Sequence, residues 1–336
     1  MANVVVLGSG GWGTALGVMA HRHGHNVTLW SPFEEEIVSI REHSEHRKLL
    51  PGVPVPQTID LTTDISCVST AGLILVVVPS FAVRSTAISM KPYLKSDTLI
   101  AVAAKGLDDS SFKCFTEILE EELPGGRIAA ISGPSHAEEV GRGVPTSVVS
   151  ASKEEKTAKA VQDILISPDF RVYTSCDDIG VQLGGALKNV IAFCAGICDG
   201  LQMGDNTKAA LMTRGLAEMK RLGVKMGANA ETFSGLSGMG DLIVTCGSMH
   251  SRNRRAGILI GQGQNPDDAV KTVGTVEGYL VLKTAYNLAK KMNVEMPITE
   301  ACYRVCFEKE HPREAITRLM SRPPKSEDDV LCRNLV

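Results

Sequence analysis

The first fourteen residues constrain the fold more than any other stretch. Val4-Val5-Val6-Leu7 is a continuous apolar run, Gly8-Ser9-Gly10-Gly11-Trp12-Gly13 follows without a break, and Thr14 opens an amphipathic segment that ends near His21. A buried strand, a G-x-G-x-x-G turn and a helix start, in that order, are what a dinucleotide site needs. Gly8 permits the tight turn, Gly10 lets the backbone approach a pyrophosphate, and Gly13 lets helix and strand pack closely. The helix N-terminus then faces the phosphates, where its unpaired N–H groups favour negative charge.

Further short apolar runs at 27–30, 73–78, 98–103, 128–131, 146–151 and 170–174 read as strands, separated by helical periodicity at 34–43, 81–90, 111–122 and 154–166. Buried strands alternating with helices predict an α/β fold, a Rossmann-type doubly wound, mostly parallel sheet with helices on both faces. Its working edge is the carboxyl ends of the strands. Three polar, Gly-containing segments sit there: residues 8–13, Lys105-Gly106, and Gly133 to Ala137.

From residue 179 the strand signal stops. Helices are expected at 179–201, 207–226, 252–262, 278–292, 298–309 and 312–320, with Pro297 and Pro312 at N-terminal positions. The chain therefore divides into a dinucleotide-binding domain, 1–178, and an all-helical substrate-binding domain, 179–336, as its 336 residues allow. The charged tail after Pro323-Pro324 is expected to be loosely ordered.

A net charge of −3 gives no overall basic field, which argues against nucleic acid as a partner yet leaves room for a local cationic site. The first strand begins too early for a secretory signal, and the densest apolar run, 73–78, is too short to span a bilayer. A cytoplasmic protein without membrane insertion is expected. Nine cysteines without a C-x-x-C pair predict neither a disulfide framework nor a metal centre. Cys194/Cys198 and Cys302/Cys306, each four apart, read as small buried hydrophobes. His21, His23 and His25 read as decoration of a solvated turn at Gly24.

The second half carries the chemistry. Gly184-Gly185-Ala186-Leu187-Lys188-Asn189 puts two glycines inside an apolar helix, at roughly 1 kcal/mol each relative to alanine, so close backbone approach is expected there. Lys188, among Leu183, Leu187, Val190 and Ile191, reads either as a snorkelling lysine or as one that transfers a proton. Asp241, in Ser237-Gly238-Met239-Gly240-Asp241, either caps a helix or orients Lys188. Arg252, Arg254 and Arg255, with Ser251 and Asn253 among them at a helix start, suit a phosphomonoester or form a solvated basic turn.

Taken together, these stretches resemble the NAD(P)-dependent glycerol-3-phosphate dehydrogenases of the bacterial type. The resemblance runs from residue 3 to about 320 through Gly8 to Ala15, Leu50-Pro51-Gly52, Ala104-Lys105-Gly106, Ser132-Gly133-Pro134-Ser135, Gly185 to Asn189, Gly240-Asp241-Leu242, Ser251-Arg252-Asn253 and Val276-Glu277-Gly278. It implies interconversion of dihydroxyacetone phosphate, a small phosphorylated three-carbon substrate, and sn-glycerol 3-phosphate for glycerophospholipid synthesis, by a homodimer. By match, it implies Lys188 as the proton-transferring lysine and Lys105 as the lysine touching substrate and cofactor. Asp241 and Thr245 match the polar groups around them. Gly133, Ser135, Ser251, Arg252 and Asn253 match substrate contacts. Gly11, Trp12, Ala137, Arg252, Val276 and Glu277 match cofactor contacts, beside Gly8, Gly10 and Gly13 of the turn. NAD or NADP is the implied cofactor. Where bacterial members usually carry Arg or His, two residues after the Trp that ends the second strand, this chain has Pro32, which favours NAD.

Overall fold

The computed structural model describes residues 1–327 and separates into two compact units. The first comprises 1–104 and 113–178; the second comprises 105–112 and the described residues from Ile179 onward.

The first unit runs β1 (Asn3–Leu7), α1 (Gly11–Arg22), β2 (Asn26–Trp30), α2 (Glu34–His43), β3 (Asp60–Thr62), β4 (Leu73–Val76), α3 (Val83–Met90), β5 (Leu99–Val102), α4 (Phe115–Glu122), β6 (Arg127–Ser132), α5 (Ala137–Gly141), β7 (Thr146–Ala151), α6 (Glu155–Leu165) and β8 (Phe170–Ser175). The sheet order is β3-β2-β1-β4-β5-β6-β7-β8, parallel throughout except for the β6–β7 pair. Strand alternation explains its two layers: Val4 and Val6 enter one core with Leu16, Met19 and Phe170, whereas Val5 and Leu7 enter the other with Met90, Phe115 and Leu119. Each such fully buried side chain contributes about 1.5–3 kcal/mol, so both faces must stay covered by helices. The order reverses between β1 and β4, and the glycine turn leaves β1 at that reversal, where open α/β sheets bind their ligands.

The second unit contains α7 (Asp178–Gly200), α8 (Gly204–Lys225), α9 (Asp241–Gly247), α10 (Arg252–Gly261), α11 (Pro266–Val273), α12 (Glu277–Lys291), α13 (Pro297–Phe307) and α14 (Pro312–Met320). Helix α7, 23 residues long, is apolar enough by length and composition to cross a membrane, unlike the shorter run at 73–78, and it is buried as the core helix. Gly196 and Gly200 of α7 meet Gly257 and Gly261 of α10 so closely that a Cβ on Gly196 would lie 2.1 Å from the Arg254 carbonyl oxygen. This small-residue seam sets the start of α10 against α7.

Several features depart from expectation. The run at 73–78 is the fourth strand, because the three-residue edge strand β3 is too short to show alternation. Helix α11 was not expected; it is only eight residues long, carries an Asn265 cap and Pro266 at its start, and puts Pro266, Ala269, Val270 and Val273 at helical spacing. The three histidines stand half-exposed around the turn at Gly24 as expected, but each also has a partner: His23 meets Asp169 at 2.6 Å, His21 meets Thr58 at 2.7 Å, and His25 accepts from the Ala2 N–H at 3.1 Å. The tail is held as far as it is described, since Lys325 pairs with Glu295 at 2.9 Å and Glu327 with Arg214 at 2.6 Å. The remainder of the expected loose tail lies outside the described residues.

Candidate active site

On the first unit the glycine turn has the shape of a phosphate cradle. Gly8 adopts φ +118°, and a Cβ on Gly13 would stand 1.9 Å from the Gly8 carbonyl oxygen, so neither position accepts a side chain. Gly11 is closed by the Leu49 carbonyl oxygen at 2.5 Å, whereas Gly10 opens onto nothing within 4 Å. Helix α1 starts there with Gly10 as N-cap, no side-chain cap and no acidic residue in its first turn. Its positive end is left for an anion from outside, which is how these residues fit a dinucleotide pyrophosphate. Trp12 Nε1 donates to the Ala103 carbonyl at 3.2 Å, tying the turn to the end of β5. Gly133, at φ +147°, lies against Val148, and Ser135 donates to its carbonyl at 2.9 Å just ahead of Ala137, the first residue of α5.

On the second unit the expected lysines come together. Lys105 follows β5 on the segment 105–112, which lies within the span expected to belong wholly to the nucleotide domain but clusters with the helices. Thr284 of α12 donates to Asp109, and Lys291 stands 5.3 Å over the Phe112 ring. Lys105 Nζ donates to Asp241 Oδ2 at 2.6 Å, and Lys188 Nζ lies 3.0 Å from Asp241 Oδ1. Lys188 also donates to Thr245 Oγ1 at 2.7 Å, and that hydroxyl donates to the Asp241 carbonyl at 2.6 Å. Gly184 explains how Asp241 gets there: a Cβ at this position would sit 2.5 Å from the Ser237 carbonyl oxygen, in the short π-helical turn Leu236–Gly240 that delivers Asp241.

Two ammonium groups around one carboxylate leave one net positive charge in a buried setting. Burial brings the Lys188 pKa down to about 8, with Asp241 opposing and Lys105 reinforcing. For Asp241, burial alone would raise the pKa, but the Lys105 and Lys188 charges outweigh it and hold the carboxyl below its ordinary value. The result is a lysine that is protonated near neutral pH yet can give the proton up.

The basic stretch divides by function. Ser251 caps α10, accepting from the Arg254 N–H at 3.2 Å. Arg254 is committed to the fold through Asp199 at 2.7 Å and the Gly247 carbonyl at 2.7 Å. Asn253 donates to Asn189 Oδ1 at 2.9 Å and accepts from the Gly278 N–H at 2.8 Å, joining α7, α10 and α12 next to Val276 and Glu277. Asn189 was not singled out from sequence, although it neighbours Lys188 on α7. Arg252 is exposed at the helix start. No group of three or more His, Cys, Asp or Glu side chains is placed to hold a metal among the described residues.

A dinucleotide cradle on a doubly wound sheet, and a proton donor kept out of water on a helical unit, are what a nicotinamide-dependent dehydrogenase requires, and the chain is of that class. It belongs to the NAD-dependent glycerol-3-phosphate dehydrogenase family, whose N-terminal description matches residues 3–158 and whose C-terminal description matches 177–317. It is 49% identical to the glycerol-3-phosphate dehydrogenase [NAD(P)+] of Desulfitobacterium hafniense over 97% of this chain and 93% of that one. Identity to the Agathobacter rectalis enzyme of the same description is also 49%, over 98% and 99%. The crystal structure of glycerol-3-phosphate dehydrogenase from Coxiella burnetii superposes with a TM-score of 0.92 at 38% identity, covering 96% of this chain and 99% of that one. The Plasmodium falciparum structure, at 23% identity and a TM-score of 0.86, shares the fold over 96% of each chain.

Proposed function

We propose that this chain interconverts dihydroxyacetone phosphate and sn-glycerol 3-phosphate. The observation that carries this is the buried Lys105–Asp241–Lys188 arrangement, which has the charge and the proton that reduction of a ketone demands. A bound NAD(P)H supplies the hydride. Lys188 gives its proton to the carbonyl oxygen as negative charge develops there and takes it back in the reverse direction. Lys105 polarises the same oxygen, and Asp241, bonded to both ammonium groups, orients them. Thr245 fixes the direction of the Lys188 N–H bonds.

Arg252, with Ser251 and Asn253, is assigned to the substrate phosphate, where a guanidinium fork at a helix start suits a phosphomonoester. On the first unit, Gly133 and Ser135 are assigned to substrate, and Gly8, Gly10, Gly11, Trp12, Gly13 and Ala137 to the dinucleotide. Lys105, Arg252, Val276 and Glu277 of the second unit complete the cofactor contacts. NAD is the preferred form, supported by Pro32, which puts no cation at the end of β2 for a 2′-phosphate. A homodimer is the proposed assembly, as the family resemblance implies. A reducing, cytoplasmic compartment is supported by the described cysteines, all of them free thiols.

The test is NADH and NADPH oxidation with dihydroxyacetone phosphate, run beside unphosphorylated dihydroxyacetone. Rapid turnover of the phosphorylated ketone and little of the other is expected. Equal rates for both, or none with the phosphorylated ketone, would overturn the assignment.

A further inference from the structure

We propose that Glu36 selects NAD(H) against NADP(H), by fixing a carboxylate at the carboxyl ends of β1 and β2 where the adenosine ribose is read. This rests on the dehydrogenase function above and goes beyond the motif residues assigned to the cofactor.

Strands β1 and β2 pair in register through Leu7 and Trp30, and the Gly8 N–H donates to the Trp30 carbonyl at 2.9 Å. Ser9 and Ser31 therefore stand just past the ends of two neighbouring strands. Both are almost wholly buried, at 2% and 1% exposure, and both hydroxyls donate to the same oxygen of Glu36, Oε2, at 2.5 and 2.9 Å. Ser9 is itself held in place, because Thr14 Oγ1 donates to its carbonyl at 2.8 Å. The other Glu36 oxygen, Oε1, has no hydrogen-bond partner among the described residues.

A helix start alone does not ask for this. Glu34 and Glu35, both exposed, already place negative charge in the first turn of α2, which is all that the helix dipole uses. Glu36 is instead drawn in to the glycine turn. One oxygen anchored by two hydroxyls and a second available is an acceptor for the vicinal hydroxyls of a ribose. The same carboxylate repels a 2′-phosphate, which carries a charge of about −1.5 to −2 at pH 7. Pro32 and Phe33, between Ser31 and the helix, are uncharged, the cations Arg47 and Lys48 of the following segment are exposed to water, and burial lowers the pKa of His46 against the pull of Glu36.

The test is calorimetric titration of the substrate-free protein with NADH and NADPH, and with the fragments 5′-AMP and adenosine 2′,5′-bisphosphate, which carry no nicotinamide and need no turnover. Wild type is expected to bind NADH about tenfold or more tighter than NADPH, since like charges at close range cost at least about 1.4 kcal/mol. Glu36→Gln keeps the two serine hydrogen bonds and removes the charge. It should shrink that ratio about tenfold, chiefly through tighter NADPH, with the fragments following the same order. Ser31→Ala keeps the charge but loosens its anchor, and should weaken NADH while leaving NADPH the poorer ligand. A ratio unchanged in Glu36→Gln, parallel weakening of both dinucleotides, or a wild type that prefers NADPH would each overturn the assignment. A wild type that binds neither dinucleotide would overturn the dehydrogenase function along with it.

Discussion

Lys188 and Asp241 form an ion pair at 3.0 Å whose side chains are only 7% and 2% exposed. Burying a charge pair is rarely worth its desolvation for stability alone, so the pair is better explained by proton transfer than by folding. Replacing Lys188 with Ala should lower turnover of dihydroxyacetone phosphate by roughly 10²–10⁴-fold. NADH affinity, followed by quenching of the tryptophan fluorescence, should stay the same. Near-normal turnover in this variant would remove Lys188 from the mechanism.

The same pair predicts opposite pH profiles for the two directions. Reduction needs protonated Lys188, so its kcat should fall as pH rises through about 8, while oxidation needs the neutral amine and should rise over the same range. Asp241 is the group that raises the Lys188 pKa against burial, so Asp241→Asn should move both profiles to lower pH. Profiles that do not move in this variant would show that another group titrates.

Much of this site was legible in sequence because chemistry there demands unusual residues. A glycine turn after an apolar run, and paired glycines ahead of a lysine inside an apolar helix, are both costly unless something uses them. What sequence could not show is pairing at a distance. Asp241 is 136 residues from Lys105 and 53 from Lys188 by number, and the Gly184–Ser237 approach that brings it in depends on the packing of two segments with no shared pattern. The partners of His21, His23 and His25, which are Thr58, Asp169 and Ala2, were out of reach for the same reason. The acids at 34–36 read in sequence either as ribose acceptors or as a helix start, and only the serine hydroxyls separate Glu36 from the first two.

Arg252 and Arg254 should behave differently although two positions apart. Arg252→Ala removes an exposed cation and should raise KM for the phosphorylated ketone, at a loss of about 1.5–3 kcal/mol, with little change for unphosphorylated dihydroxyacetone. Arg254→Ala breaks the pairing with Asp199 and should lower the melting temperature instead. Thermal melts beside steady-state kinetics on both ketones distinguish the two outcomes; equal effects on both substrates in Arg252→Ala would count against a phosphate role.

Gly184→Ala tests how Asp241 is placed. The new Cβ would meet the Ser237 carbonyl oxygen at 2.5 Å, a backbone atom that cannot yield as a flexible side chain would. Over-packing of this kind typically destabilises by about 1–3 kcal/mol. Since the displaced turn leads directly into Asp241, kcat should fall together with the urea midpoint. A variant with wild-type kcat and wild-type stability would show that the contact is not needed.

Glu218 gives a prediction about stability that is separate from catalysis. Its carboxylate accepts from the Ile298 N–H at 2.6 Å, the Thr299 N–H at 3.1 Å and the Thr299 hydroxyl at 3.1 Å, so α8 supplies the cap that α13 lacks in its own sequence. Burial nevertheless pushes its pKa up to about 7, against those donors and the Arg221 charge. A carboxyl whose folded pKa exceeds its unfolded value of 4.5 contributes stability that is fully present below 4.5 and is lost as pH rises through about 7. Glu218→Gln cannot titrate, so the advantage of wild type over this variant should be largest near pH 5 and shrink by pH 8. Urea denaturation of both proteins across that range measures it, and a difference that is constant with pH, or grows as pH rises, would mean that the three donors keep Glu218 ionised throughout.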